Sequence, residues 1–300
     1  MKVLVLGATG YIGRNVAANF RRAGHDVWGL TRSPAKARDL TVNEVHPLIG
    51  DLGQPDSYRA TAQASDVLVH AAMDYHGDTE ALDRLTGRVL LEAARSGDRS
   101  KTLVYTGGSW DYGNTGGRMV DETAPAHPLR ATAWRVEVER EILAACDVRT
   151  IVIRPGNAYG HVGGLTAQWF AGANGGPVLQ VVGPGGNHWP MVHVDDLAEG
   201  YRLAAECGLS SEIFNLGDGA TPKVRQMVAA IIETAGYEGR VEFVPEREAE
   251  RSMGAFAEAL ALDLAIDSRK ASRLRAWQPR HRGFLADVPT YLAAWKAAQD

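Results

Sequence analysis

The chain of 300 residues carries only two cysteines, Cys146 and Cys207, in unlike contexts. They form neither a C-x-x-C pair nor a metal-ligand spacing, so a disulfide framework is excluded and a reducing cytoplasm is the expected setting. An excess of one charge is also missing: 32 Lys and Arg stand against 36 Asp and Glu, a net of −4 without long like-charge blocks. Such a surface has no general attraction for nucleic acid or anionic lipid, and neither is an expected partner. No apolar run reaches the roughly 18 residues of a membrane span, and residues 2–6 read as a strand with no charged leader ahead of it. Repeats, low-complexity tracts and a polar linker are absent too. What remains is the composition of an ordinary globular protein, 45% hydrophobic and 23% charged, which excludes disorder, collagen and coiled coil. The length allows two domains or one large one.

Residues 3–6 are continuous aliphatics that give way to a glycine turn, and then to Ile12, Val16 and Phe20 at a helical spacing of four. Gly24 follows as a helix terminator, and residues 26–30 read as the next strand. Similar short apolar runs recur at 44–49, 66–70, 101–106 and 148–154, separated by helical patterns. This alternation predicts an α/β fold, a doubly wound parallel sheet over residues 1–154 that the chain re-enters at about 188–217. Trp134, Val138 and Ile142 share one helix face and are expected to pack into the core. Beyond Arg154 the chain turns glycine-rich, and after Thr221 it is mostly helical with a strand at 241–244. Residues 155–187 and 218–300 are therefore expected to form a smaller, mostly helical substrate-binding region.

Gly7-Ala-Thr9-Gly10-Tyr11-Ile12-Gly13 stands directly after the first strand and opens a helix. Its glycines permit a tight turn and let backbone N–H groups at the positive helix end approach a pyrophosphate. The G-x-x-G-x-x-G spacing resembles the short-chain dehydrogenase/reductase superfamily. Further segments extend the resemblance to its extended, epimerase/dehydratase-like branch: Gly50-Asp51-Leu52, Val69-His-Ala71-Ala72, Arg154-Pro155-Gly-Asn157-Ala-Tyr159-Gly160, the run from Val192 to Ala198, Phe214-Asn-Leu-Gly217, the run from Asp267 to Ala271, and Trp277-Gln-Pro279. The resemblance implies a Rossmann-type fold with Asp51 at the adenine, and Leu52, Ala71, Ala72, Thr106 and Pro155 beside the dinucleotide. At the end of the second strand, Gly29-Leu-Thr-Arg32-Ser33 has no acid for a ribose 2′-hydroxyl. Arg32 suits a 2′-phosphate, so NADP(H) is expected in preference to NAD(H).

Active members of the superfamily place a Tyr and a Lys four residues apart on the fifth helix, where the ammonium activates the phenol. Residues 129–145 contain neither residue type. Laid on the family's Lys-to-Glu spacing, Arg135 and Glu139 put Arg135 at the Lys position and Ala131 at the Tyr position, and a shift by one gives Val136 and Thr132 instead; Arg135 can reach ribose hydroxyls, but a guanidinium cannot relay a proton. The family serine falls on Gly108 and the helix-four asparagine on Arg84. The chain thus resembles the atypical members, and ordinary alcohol oxidation is not expected.

Loops at the strand ends carry Tyr75 and His76, Trp110-Asp111-Tyr112, Asn157, Tyr159, His161 and His188-Trp189. So many aromatics suggest a pocket for a planar or cyclic ligand, with Tyr75, Trp110, Asn157, Tyr159 and Trp189 in its walls. Tyr112 is the first candidate for a proton donor and His161 the reserve, with Asp111 on the opposite side of the chain. Asp195 and Asp196 read as helix caps, and His188 with His193 lacks an H-E-x-x-H context, so no metal is expected. Three readings stay open: an NADP(H)-dependent reductase of an imine, enone or carbonyl, a non-redox cyclase, isomerase or lyase, and a dinucleotide-responsive binding protein. A small-molecule substrate is the expected partner, and a homodimer is left open.

Overall fold

The structure, a computed structural model, describes residues 1–74, 77–97 and 99–299. Seven parallel strands form the main sheet: β1 (Lys2–Leu6), β2 (Asp26–Thr31), β3 (His46–Ile49), β4 (Val67–His70), β5 (Thr102–Thr106), β7 (Arg149–Pro155) and β11 (Glu212–Leu216). Their order is β11-β7-β5-β4-β1-β2-β3. The order reverses at β1, which pairs with β2 on one side and β4 on the other. A crevice therefore opens above the carboxyl end of β1, where open α/β sheets bind their ligands.

Alternation along the strands explains why both faces are covered. Val3 and Val5 point to one face, where they meet α1 (Tyr11–Arg22) and α7 (Val194–Glu206) through Val16, Phe20, Leu197 and Tyr201. Leu4 and Leu6 point to the other, against α4 (Thr79–Arg95) and α5 (Ala133–Leu143) through Leu90, Val138 and Ile142. The shorter α2 (Pro34–Val42) and α3 (Arg59–Gln63) lie beside the β2–β4 half of the sheet. Helix α5 begins only at Ala133, because residues 129–132 are in turns, and Trp134 is half-buried rather than part of the deep core.

The glycine-rich and C-terminal segments hold more strand than their sequence suggested. β8 (Asn157–Tyr159) pairs with β10 (Met191–His193), β9 (Val178–Val182) with β12 (Arg240–Val244), and β6 (Met119–Val120) with β13 (Ala265–Ile266), all in parallel. They sit with α6 (Ala167–Ala173), α8 (Val224–Ala235), α9 (Glu246–Met253), α10 (Phe256–Ala261) and α11 (Val288–Ala297). A separate apolar cluster of Tyr159, Trp169, Phe170, Met227, Ile231 and Trp295 holds most of this region together. Among the described residues, no helix is long and apolar enough to cross a membrane.

Candidate dinucleotide and substrate site

The glycine turn forms because only glycine fits it. Gly7 has φ +84°, and a Cβ there would lie 2.4 Å from the Ala71 carbonyl oxygen. A Cβ at Gly13 would lie 2.1 Å from the Gly7 carbonyl oxygen, so α1 packs directly on the turn. Among the described residues no side chain caps the start of α1, which leaves its first N–H groups for a ligand. A cleft of about 230 Å³ opens here, lined by Gly7, Thr9, Gly10, Arg32, Asp51, Leu52, Ala71 and Ala72 among others. Tyr11 and Ile12 lie in the first turn of α1 outside this lining, with the Tyr11 hydroxyl donating to the Gly160 carbonyl at 2.9 Å. Arg32 is 68% exposed, with Nε 3.9 Å from Asp51 and Nη1 3.8 Å from Asp74. Lys36, on the first turn of α2, also lines the cleft. The sequence reading missed this second cation, although its position four residues beyond Arg32 is a usable signal.

Next to this cleft, the Arg135 guanidinium lies beside Gly108. A Cβ at Gly108 would stand 3.1 Å from Arg135 Nη1 and 3.9 Å from an Asp111 carboxylate oxygen. Arg135 also reaches Met73 Sδ at 3.4 Å, which brings it to the end of β4. Beneath it, Arg154 and Glu139 form a buried pair, with Nη2 to Oε2 at 2.5 Å and Nε to the same oxygen at 3.1 Å. Asp111 is fully buried, and neither of its oxygens has a hydrogen-bond partner among the described residues. Burial pushes its carboxyl up to about 7, helped by the Glu139 charge and opposed by Arg135 and Arg154. Trp110 is half-buried, meets Phe256 edge-on at 5.8 Å and packs on the apolar cluster of Tyr112, Leu129 and Leu262.

Residues 3–217 match the sequence profile of the NAD dependent epimerase/dehydratase family. The chain belongs to that family. It is 27% identical over 267 residues to a Stigmatella aurantiaca 4-hydroxy-2-methyl-3-oxo-4-farnesyl-3,4-dihydroquinoline-1-oxide ketoreductase, covering 82% of this chain and 76% of that one. It is 25% identical over 312 residues to a Corynebacterium glutamicum UDP-glucose 4-epimerase, covering 94% and 92% of the two chains. In fold it is similar to the Thermus thermophilus UDP-glucose 4-epimerase solved in complex with NAD, with a TM-score of 0.83, 22% identity and coverage of 99% and 100%.

For this epimerase/dehydratase family member the structure corrects several expectations about side chains. Tyr112 is 2% exposed, its hydroxyl donates to Asn215 Oδ1 at 2.8 Å, and Arg154 lies over its ring. The short 3-10 turn over Ser109–Tyr112 breaks the extended geometry that would have aimed it at a substrate. Tyr159 is fully buried among His193, Phe284 and Tyr291, and so is core rather than pocket wall. Trp189 stacks on Trp169 at 4.9 Å and lines a separate cavity of about 210 Å³ with Gln180, Met253 and Leu260. Asn157 is buried with its amide nitrogen unpartnered among the described residues. Thr106 lies at the end of β5, but its hydroxyl is engaged by the His70 carbonyl and the Tyr201 hydroxyl. Pro155 is half-buried at the end of β7, while Tyr75 and His76 lie outside the described residues.

The histidines differ most from expectation. His188 pairs with Asp263 at 2.7 Å. His193 caps α7 instead of the two aspartates, its Nδ1 accepting the Asp195 N–H at 3.2 Å. Asp195 instead holds His161 Nε2 at 3.0 Å from both carboxylate oxygens, and Asp196 holds His281 Nδ1 at 3.0 Å. His281 is 88 positions beyond His193, and no spacing rule in the sequence links them.

Proposed function

We propose that this chain is an NADP(H)-dependent reductase acting on an imine, enone or carbonyl of a small cyclic or aromatic compound. The observation that carries the cofactor preference is the pair of cations, Arg32 and Lys36, lining a cleft whose β2 end has no acid. In this reading the glycine turn and the bare start of α1 bind the pyrophosphate, and Arg32 and Lys36 bind the 2′-phosphate. Asp51 and Leu52 border the adenine, and Arg135 holds the nicotinamide ribose. The bound dinucleotide supplies a hydride. Helix α5 supplies no phenol, and the Tyr112 hydroxyl is already engaged by Asn215. A substrate that arrives activated, such as an iminium ion or a conjugated carbonyl, fits a site of this kind better than a plain alcohol. Trp110, Phe256 and the exposed Met73 give it apolar walls. The similarity to a ketoreductase supports the same class of chemistry.

A second reading, a non-redox isomerase or lyase that keeps the dinucleotide, is favoured by the same absence of an acid–base pair on α5. Following NADPH absorbance during addition of imines, enones and ketones separates the two. Steady oxidation supports the reductase, while tight binding without oxidation across the panel moves the assignment to the second reading. Calorimetry tests the cofactor. A charge-assisted contact contributes about 1.5–3 kcal/mol, and the exposure of Arg32 puts it at the lower end. Arg32→Asp should therefore lower the NADPH-over-NADH preference by about tenfold or more. An unchanged ratio removes Arg32 from recognition.

A further inference from the structure

We infer that His193, Asp195 and His281 form a binding site for a divalent first-row transition metal, of the Zn²⁺ type. One nitrogen of each imidazole and one Asp195 oxygen all lie within 4.8 Å of one another. None of the three residues borders the dinucleotide cleft, so the site is independent of the proposed reductase chemistry. A set of two imidazoles and one carboxylate suits Zn²⁺, which binds such ligands at about 2.0–2.2 Å and leaves a fourth position for water.

The neighbouring groups are arranged as metal sites require. His193 Nδ1 carries a lone pair, which the Asp195 N–H engages at 3.2 Å and would have to give up to a metal, and it stands 3.8 Å from Asp195 Oδ2. Two ligands of one tetrahedral ion at such bond lengths are about 3.4 Å apart, so this pair needs little movement. Asp196 accepts from His281 Nδ1, which leaves Nε2 of that ring as the free lone pair. His161 grips both oxygens of Asp195. A carboxylate behind one ligand histidine and a histidine behind the ligand carboxylate are the outer partners that fix ligand orientation.

Two adjustments are required: His193 Nδ1 gives up the Asp195 N–H, and the two rings leave their stack. His193 and His281 are stacked, with ring centroids 3.5 Å apart and planes 9° from parallel. Parallel rings direct their lone pairs side by side rather than at a common ion. His281 lies in the segment after Pro279 with its side chain 34% exposed, and it is the ring that turns, pivoting on Asp196. Metal binding would then tie this C-terminal segment to the start of α7 and to the loop at His161.

The test uses tag-free protein stripped with a chelator, titrated with Zn²⁺ by calorimetry and with Co²⁺ by visible absorbance. One equivalent should bind, with a Co²⁺ band that Zn²⁺ displaces and a higher thermal unfolding midpoint. Outer partners alone change affinity by about 10- to 100-fold, so His281→Ala and Asp195→Asn should weaken binding by about a hundredfold or more and lose the thermal shift. His161→Ala, removing only the support, should weaken it by about tenfold. His281→Gln, whose side chain keeps a donor for Asp196, serves where His281→Ala folds poorly. No uptake by the wild type, or equal uptake by the wild type and the His281 and Asp195 variants, overturns the inference.

Discussion

Replacing Asp111 by Asn keeps the shape of a buried side chain and removes its ability to ionise. The carboxyl is fully buried, and its surroundings push it from 3.8 up to about 7. The unfolded chain releases this proton near 3.8 and the folded chain only near 7. Between those values the folded state holds more protons, so stability falls as pH rises. A window of about 3 pH units at about 1.4 kcal/mol each puts the loss in the wild type at about 4 kcal/mol at most. The Asn variant escapes that loss, and its amide N–H can donate to the Glu139 carboxylate beside it. Near pH 4 the two proteins should be about equally stable, and near pH 8 the variant should be more stable by up to about 4 kcal/mol. At about 2–4 °C per kcal/mol the melting point rises by about 8–16 °C at that ceiling. Reversible urea unfolding, or calorimetry, of both proteins at the two pH values is the assay. A difference that does not change with pH, or a variant less stable than wild type near pH 8, would refute the reasoning. Asp111 would then be an ionised partner of Arg135 and Arg154.

Other substitutions probe the remaining structural claims. Tyr112→Phe strips the donor from Asn215 Oδ1 and should cost about 1–3 kcal/mol of stability with turnover retained. A loss of turnover of about a hundredfold would restore Tyr112 as a proton donor. Gly13→Ala drives a Cβ into the Gly7 carbonyl, so dinucleotide binding measured by calorimetry should be lost, and wild-type affinity would contradict the packing of α1 on the turn. Lys101 is buried and donates to the carbonyls of Gln63 and Ala93 and to Ser96 Oγ. Lys101→Met leaves those acceptors unmet and should cost about 2–3 kcal/mol in denaturant unfolding; an unchanged midpoint would mean that water replaces the ammonium.

The parts of the molecule that were readable in advance are those with a local cause. The Gly7–Gly13 turn, the alternation of Val3 and Val5 with Leu4 and Leu6, and the spacing of Val16 and Phe20 each act within a few residues, and they lead to the parallel sheet and the dinucleotide cleft. The absence of Tyr and Lys from α5 was equally plain, because composition needs no register. β9 stayed hidden because Val178–Val182 is short, flanked by glycines, and paired with a strand about 60 residues later in the chain.

The amino-acid sequence by itself determined the fold family, the glycine turn at the carboxyl end of β1 and the absence of Tyr and Lys from α5. Only the tertiary structure decided where individual side chains point. A single 3-10 turn after β5 buries Tyr112 against Asn215 and leaves Asp111 beside Glu139. The encounter of His193 with His281 depends on how the C-terminal segment packs on α7, with Trp277 Nε1 donating to the Asp196 carbonyl. Backbone propensity and hydrophobic period act over one or two turns of chain, whereas such meetings are set by packing between distant elements and leave no periodic mark in the sequence.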